Sequence, residues 1–201
     1  MSIATVVFDI GNVLIYWDRR NLYRKLIPDT AEMERFLAEV CSIAWHEPQD
    51  AGESCAAATT ALKARFPQHE ALIDAYYSRF GEMLEGPVPG MEQIVMGLKA
   101  RNIPVYGLSN WPAEMFVHAE TYDILTHLDG VVISGREKVK KPDPRLFHVL
   151  FERFDIDPHR TLFIDDVADN VATGIALGMN GHLFRDAERL RAVLKGYHLL
   201  A

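Results

Sequence analysis

Apolar residues follow two periods along this chain, and the changeover between them predicts its organisation. Thr5-Val6-Val7-Phe8-Asp9-Ile10-Gly11-Asn12-Val13-Leu14 is a β-branched apolar run that stops at one carboxylate and then turns on a glycine. It is too short for a buried helix and predicts a central strand of a parallel sheet, with Asp9 at its carboxyl end. Open α/β sheets bind ligands at that end, although strands also end at Asp for reasons of turn geometry. Beyond it the period becomes helical. Asp18 is a candidate cap for a helix through Leu22 to Leu26, which Pro28 ends. Asp29 or Thr30 can cap the next, with Met33, Phe36, Leu37 and Val40 on one face. Ser54–Phe66 and Glu70–Leu84 both read as helical, separated by Pro67. No strand is predicted before about Gly86. Roughly seventy helical residues exceed what a crossover needs, so residues 16–86 are expected to form an inserted helical unit.

Regular alternation begins after Gly86-Pro87-Val88-Pro89-Gly90. Helices are predicted over Met91–Arg101, near Ala113–Thr121, over Pro144–Phe154 and over Val167–Leu177. Strands are predicted over Pro104–Leu108, Gly130–Ile133, Leu162–Ile164 and Gly181–Phe184. Such alternation means parallel strands with right-handed crossovers. The predicted fold class is α/β: a Rossmann-like parallel sheet over residues 1–15 and 87–201, with the helical unit inserted into it.

Composition narrows the partners. The 201 residues are 49% hydrophobic and 24% charged, as in ordinary globular proteins, and the net charge is −7. No block of Lys or Arg stands out, which argues against nucleic acid or an acidic membrane surface as a partner. Cys41 and Cys55 lack the close pairing of a zinc or dithiol motif and read as reduced core or boundary residues of a cytoplasmic protein. The opening Met1-Ser2-Ile3-Ala4 carries neither a signal peptide nor a membrane span. The expected states are monomer or homodimer.

Three predicted strand ends carry polar residues that one site can share: Asp9, Ser109-Asn110 and Asp165-Asp166. Between the last two lies a cationic turn, Lys138-Val139-Lys140-Lys141-Pro142-Asp143-Pro144. Carboxylates at adjacent strand ends repel unless a cation joins them, and oxygen ligands with spare water positions suit Mg²⁺. A metal beside a carboxylate, a hydroxyl and a lysine is a constellation for phosphoryl transfer.

With these residues in view, the chain resembles the haloacid dehalogenase superfamily, most of whose members are Mg²⁺-dependent phosphatases. Phe8-Asp9-Ile10-Gly11-Asn12-Val13-Leu14 resembles the family's first motif, Leu108-Ser109-Asn110 its second, Lys141-Pro142-Asp143-Pro144 its third, and Phe163-Ile164-Asp165-Asp166 with Asp169 its fourth. The helical insertion resembles the family's substrate-selecting cap. The resemblance implies Asp9 as a nucleophile forming an aspartyl phosphate, Ser109 as the hydroxyl that bonds the transferring phosphoryl group, and Lys141 as the cation that neutralises it. It implies a metal held by Asp9, the Gly11 carbonyl and Asp166, with Asp165 supporting or bound through water. Asn12 and Asn110 are the candidate substrate-binding residues.

The departure is Gly11. Family phosphatases usually carry a second aspartate there, which protonates the leaving group; glycine keeps the carbonyl and deletes the acid. His46 and Glu47 are possible replacements. Openings of the Asp-x-Gly-Asn-Val kind resemble a branch acting on sugar 1-phosphates. The leading expectation is a Mg²⁺-dependent phosphatase of a small phosphorylated metabolite, a sugar phosphate among the candidates. The alternatives are a metal-free 2-haloacid dehalogenase using Asp9, and a non-catalytic member that binds phosphate or protein. Trp17, Trp45 and Trp111 are read as packing residues before pocket residues, Lys138 and Lys140 as surface charge, and Asp169 equally as a site residue of the fourth motif or as early-helix charge.

Overall fold

The computed structural model describes residues 2–200. Five parallel strands form one sheet in the order β5-β4-β1-β6-β7, from β1 (Thr5–Phe8), β4 (Val105–Ser109), β5 (Gly130–Ile133), β6 (Thr161–Asp165) and β7 (Asn180–Leu183). The chain lays β4 and β5 on one side of β1, then returns to place β6 on the other. β1 therefore stands at the switch point of the strand order, where the crevice at the carboxyl ends of such sheets opens. Phe8 pairs with Gly107 on β4 and with Ile164 on β6, so Asp9 emerges level with Leu108 and Asp165.

Alternation along β1 sends its side chains to two apolar clusters. Val6 and Phe8 face one, while Val7 joins Leu146, Phe147, Leu150 and Phe163 on the other face. Each of these side chains is fully buried, worth roughly 1.5–3 kcal/mol apiece. The helices of the sheet are α6 (Met91–Ala100), α7 (Ser134–Glu137), α8 (Pro144–Phe154), α9 (Ala168–Ala176) and α10 (Ala187–Gly196). Asp143 caps α8 by accepting from the Arg145 N–H, with Pro144 in the first turn, where its missing N–H costs nothing.

Between β1 and α6 lie five further helices: α1 (Arg20–Tyr23), α2 (Thr30–Glu39), α3 (Ile43–Asp50), α4 (Cys55–Arg65) and α5 (Glu70–Ser78). Asp29, Ser42 and Ser54 cap α2, α3 and α4. The expectation of no strand here needs correction. β2 (Ile15–Trp17) and β3 (Leu84–Pro87) form a short antiparallel ribbon at the base of the helices, and the stretch predicted as helix up to Leu84 ends at Ser78. Both strands are too short to show a period, and Gly86 holds a positive φ of 98°. The single helix predicted near Ala113–Thr121 is instead two 3₁₀ segments, Ala113–His118 and Asp123–His127. One apolar cluster runs from the sheet into the inserted helices, through Phe8, Leu14, Tyr23, Tyr76 and Phe80.

Candidate active site

Asp9 leaves β1 with its N–H donated to the Ile164 carbonyl at 2.8 Å and its Oδ1 accepting the Ile10 N–H at 2.7 Å. Its carboxylate meets Lys141 Nζ at 3.0 Å. That ammonium also donates to Asp165 Oδ2 at 2.7 Å and to the Leu108 carbonyl at 2.6 Å, with only 1% of the side chain exposed. Lys141 is therefore no surface charge of the cationic turn. The Asn110 amide holds it in place: Nδ2 donates to the Lys141 carbonyl at 2.9 Å, and Oδ1 accepts the Lys141 N–H at 2.8 Å.

The Asn110 amide thus positions Lys141, and the residue also lines the cavity that opens beyond these groups. Asn12 serves the turn itself. It sits at φ 57°, donates its N–H to the Ile15 carbonyl and accepts the Trp17 N–H on Oδ1, so these groups close the turn after Asp9.

Asp165 is fully buried and saturated. Its oxygens accept from the Val167 N–H at 2.8 Å, from Asn170 Nδ2 at 3.0 and 3.1 Å, and from Lys141. Asn170 is a residue that sequence reasoning missed; it lies five positions on, in the first turns of α9, where helical geometry returns it to the strand end. Asp169 beside it is exposed, as expected of early-helix charge. Asp166 is half-buried, and one oxygen each from Asp9, Asp165 and Asp166 lies within 4.8 Å of the others.

Three carboxylates thus face one ammonium. Burial pushes the Asp9 carboxyl up to about 7, with Lys141 opposing and Asp165 and Asp166 adding to the rise. Burial also raises Asp166, reinforced by Asp165. Burial alone would lower Lys141, but Asp9 and Asp165 outweigh it and hold the ammonium above its usual range. This surplus of negative charge, on oxygens alone, is what a hard divalent cation satisfies.

Ser109 Oγ, at the end of β4, is buried and has no hydrogen-bond partner. Unpartnered buried hydroxyls are rare because each costs about 1–3 kcal/mol. The hydroxyl is a donor held ready at the strand end next to Asp9.

A cavity of about 170 Å³ opens beyond these groups, lined by Gly11, Trp17, His46, Asp50, Phe80 and Trp111 among others. Trp17 and Trp111 are thus pocket residues, a correction, and both indole N–H groups are buried without a partner. Trp45 packs against Tyr76 and Tyr77, as read from the sequence. Of the two candidate replacement acids, Glu47 pairs with Lys140 at 3.0 Å, so Lys140 is a paired wall residue of the cavity. His46 is 5% exposed, with Nδ1 at 3.0 Å from the Tyr77 hydroxyl. Burial, then Arg19 and Lys140, lower it to about 3, so its ring is neutral at ordinary pH and has no acidic proton to give. Among the described residues, no helix is long and apolar enough to cross a membrane.

Comparison with known proteins bears on this geometry. A family model described as haloacid dehalogenase-like hydrolase matches residues 3–178. A sesquiterpene phosphatase of Aspergillus oryzae is 31% identical over 100 residues, covering 47% of this chain and 49% of that protein. A phosphatase of Mycobacterium tuberculosis is 25% identical over 217 residues, covering 98% of this chain and 99% of that one. The chain spans 49%, 41% and 18% of the first curated relatives it matches, less than half of each. Among solved structures, a HAD family enzyme of Bacteroides thetaiotaomicron, an aspartate-to-alanine mutant in complex with magnesium and inorganic phosphate, superposes with a TM-score of 0.73. It is 22% identical, covering 96% of this chain and 98% of that one, a likeness of fold. The family model spans every strand end that carries the site, and the chain belongs to the haloacid dehalogenase-like hydrolase family.

Proposed function

We propose that this chain is a Mg²⁺-dependent phosphatase of a small phosphorylated metabolite, with a sugar phosphate among the candidates. The observation that carries this reading is the cluster of Asp9, Asp165 and Asp166, of which Asp9 and Asp165 share a single buried ammonium. A metal-free dehalogenase binds a carboxylate substrate and gains nothing from two further carboxylates beside the nucleophile, since like charges repel in a buried site. A phosphatase needs them to hold its cation.

In this reading Asp9, Asp166 and the Gly11 carbonyl hold Mg²⁺, while Asp165, saturated by Lys141, Val167 and Asn170, braces the cluster. The cation when bound supplies positive charge to the phosphoryl oxygens and keeps the carboxylates ionised. Asp9 attacks phosphorus and forms an aspartyl phosphate, splitting one difficult displacement into two. Ser109 Oγ donates to a phosphoryl oxygen, and Lys141 Nζ neutralises another while steadying Asp9. Residues 16–86 act as a cap whose Trp17 wall shapes the leaving-group side of the cavity. Both cysteines are buried free thiols, in keeping with the cytoplasmic compartment expected from the sequence.

The test is hydrolysis of p-nitrophenyl phosphate by purified protein with Mg²⁺ and with excess chelator, alongside halide release from 2-chloropropionate. Phosphate release that stops with chelator supports the reading. Halide release insensitive to chelator would replace it with the dehalogenase.

A further inference from the structure

The glycine at position 11 leaves the leaving group without the proton donor that a side chain there would supply. Backbone strain is not the reason for glycine, because Gly11 is outside the positive-φ region and a Cβ built there would meet only Trp111 Cζ3, at 3.9 Å. The wall of the cavity contributed by the inserted helices holds another carboxylate. Asp50, the last residue of α3, lines the same cavity as Gly11. Its side chain is 14% exposed, and its Oδ1 is buried with no hydrogen-bond partner. His46 Nε2 lies 3.4 Å from it without making a hydrogen bond.

Asp50 is also tied to the sheet. Its carbonyl accepts from Ser134 Oγ at 2.5 Å, and that same oxygen accepts the Trp111 N–H at 2.9 Å. The backbone at Asp50 is therefore anchored to the residue that follows β5, although it comes from the inserted helices.

We infer that Asp50 is the proton donor to the leaving group, standing in for the side chain that Gly11 lacks; this rests on the phosphatase reading above. Atoms balance as follows. Asp9 Oδ attacks phosphorus, the bond from phosphorus to the leaving oxygen breaks, and the Asp50 carboxyl proton passes to that oxygen, releasing an alcohol. Water then attacks the phosphorus of the aspartyl phosphate, and the Asp50 carboxylate takes its proton. Inorganic phosphate leaves, and Asp9 and Asp50 return to their starting forms. The environment suits a donor. Burial raises the Asp50 carboxyl to about 7; Lys140 and Lys141 oppose the rise, while Glu47 and Asp9 add to it, and the neutral His46 ring brings no charge.

The experiment measures kcat/KM with Mg²⁺ for a series of ring-substituted phenyl phosphates, from the 2,4-dinitrophenyl ester to phenyl phosphate itself. This ratio reports the step that expels the leaving group and is blind to the later attack of water. For Asp50→Asn the expected loss is smallest with dinitrophenyl phosphate and grows to about 10²–10³-fold with phenyl phosphate, the range for a missing general acid. Installing Gly11→Asp in that variant restores phenyl phosphate turnover, since a Cβ at that position meets only Trp111 Cζ3, in ordinary contact at 3.9 Å. A loss equal across the series, or no loss, overturns the assignment of Asp50 while wild-type turnover leaves the phosphatase reading standing. A wild-type protein inert toward every ester overturns both. Should Asp50→Asn fail to fold, Gly11→Asp alone decides: a second acid beside a working donor changes the leaving-group dependence little, whereas a marked flattening means that the wild-type protein has no donor.

Discussion

Replacing Lys141 by methionine tests the electrostatic frame of the site most severely. The side chain is 1% exposed, and its ammonium lies 3.0 Å from Asp9 and 2.7 Å from Asp165. At an effective dielectric of about 20, each contact is worth roughly 5–6 kcal/mol before the cost of burying the ammonium is subtracted. Removing one partner of a buried pair typically costs about 3–5 kcal/mol net. For a chain of this size that lowers Tm by roughly 10 °C. A second substitution separates charge imbalance from lost packing. In Lys141→Met/Asp165→Asn one stranded carboxylate is neutralised, while Oδ1 of the asparagine still accepts the Val167 N–H. The double variant should therefore recover about 1–3 kcal/mol relative to Lys141→Met, in the manner of coupled neighbours. Turnover stays down by at least about 10²–10³-fold in both, because the phosphoryl group has lost its fixed cation. Urea unfolding by circular dichroism and p-nitrophenyl phosphate hydrolysis provide the two readouts. A Lys141→Met protein that melts like wild type, or a double variant at or below the sum of the single losses, would refute the reasoning.

Three further outcomes follow from the same geometry. The folded Asp9 carboxyl titrates at about 7 against 3.8 for its ordinary value, so between these limits the folded state holds a proton the unfolded chain has released. Stability of the metal-free protein should then fall as pH rises from about 4 to about 7, by up to about 4 kcal/mol for this group. Asp50 adds a similar slope, so Asp9→Asn should remove about half of the pH dependence in chemical denaturation; an unchanged slope contradicts the burial argument. Ser109→Ala removes a hydroxyl with no internal partner, so it should leave Tm unchanged or raised while lowering kcat/KM for aryl phosphates about 10–100-fold; a clear loss of Tm would show that the hydroxyl is structurally bound. Asn170→Ala frees Asp165 and should weaken Mg²⁺ activation about 10–100-fold, read as a higher Mg²⁺ concentration at half-maximal rate; an unchanged midpoint would remove Asn170 from the site.

Much of the sheet was legible because buried parallel strands are short apolar runs between turn residues, and β1, β4 and β6 end at the polar residues the sequence marks. Strand register sets the Asp9 and Asp165 ends level, and Lys141 reaches both from the turn before α8, where Asn110 holds it. What failed has local causes. Ile15–Trp17 and Leu84–Pro87 are strands only because each supplies the other's hydrogen bonds, a pairing across roughly seventy residues that no period reveals. Helix α3 was invisible because Pro48 lies inside it, and with it went Asp50, its last residue. Asn12 and Asn110 have side chains of a type that bonds phosphate or backbone equally well; here both bond backbone, and Asn110 also lines the cavity. Trp17 and Trp111 pass for core because they are largely buried, yet both line the cavity and both indole N–H groups are buried without a partner.

Transfer of a phosphoryl group to Asp9 is tested by a single-turnover reaction with p-nitrophenyl phosphate and Mg²⁺, quenched in acid and digested for mass spectrometry. The peptide carrying Asp9 should gain the mass of one phosphoryl group at a rate no slower than kcat, and Asp9→Asn should give neither adduct nor phosphate. Turnover with no adduct, with the adduct on another peptide, or retained in Asp9→Asn would contradict transfer to Asp9.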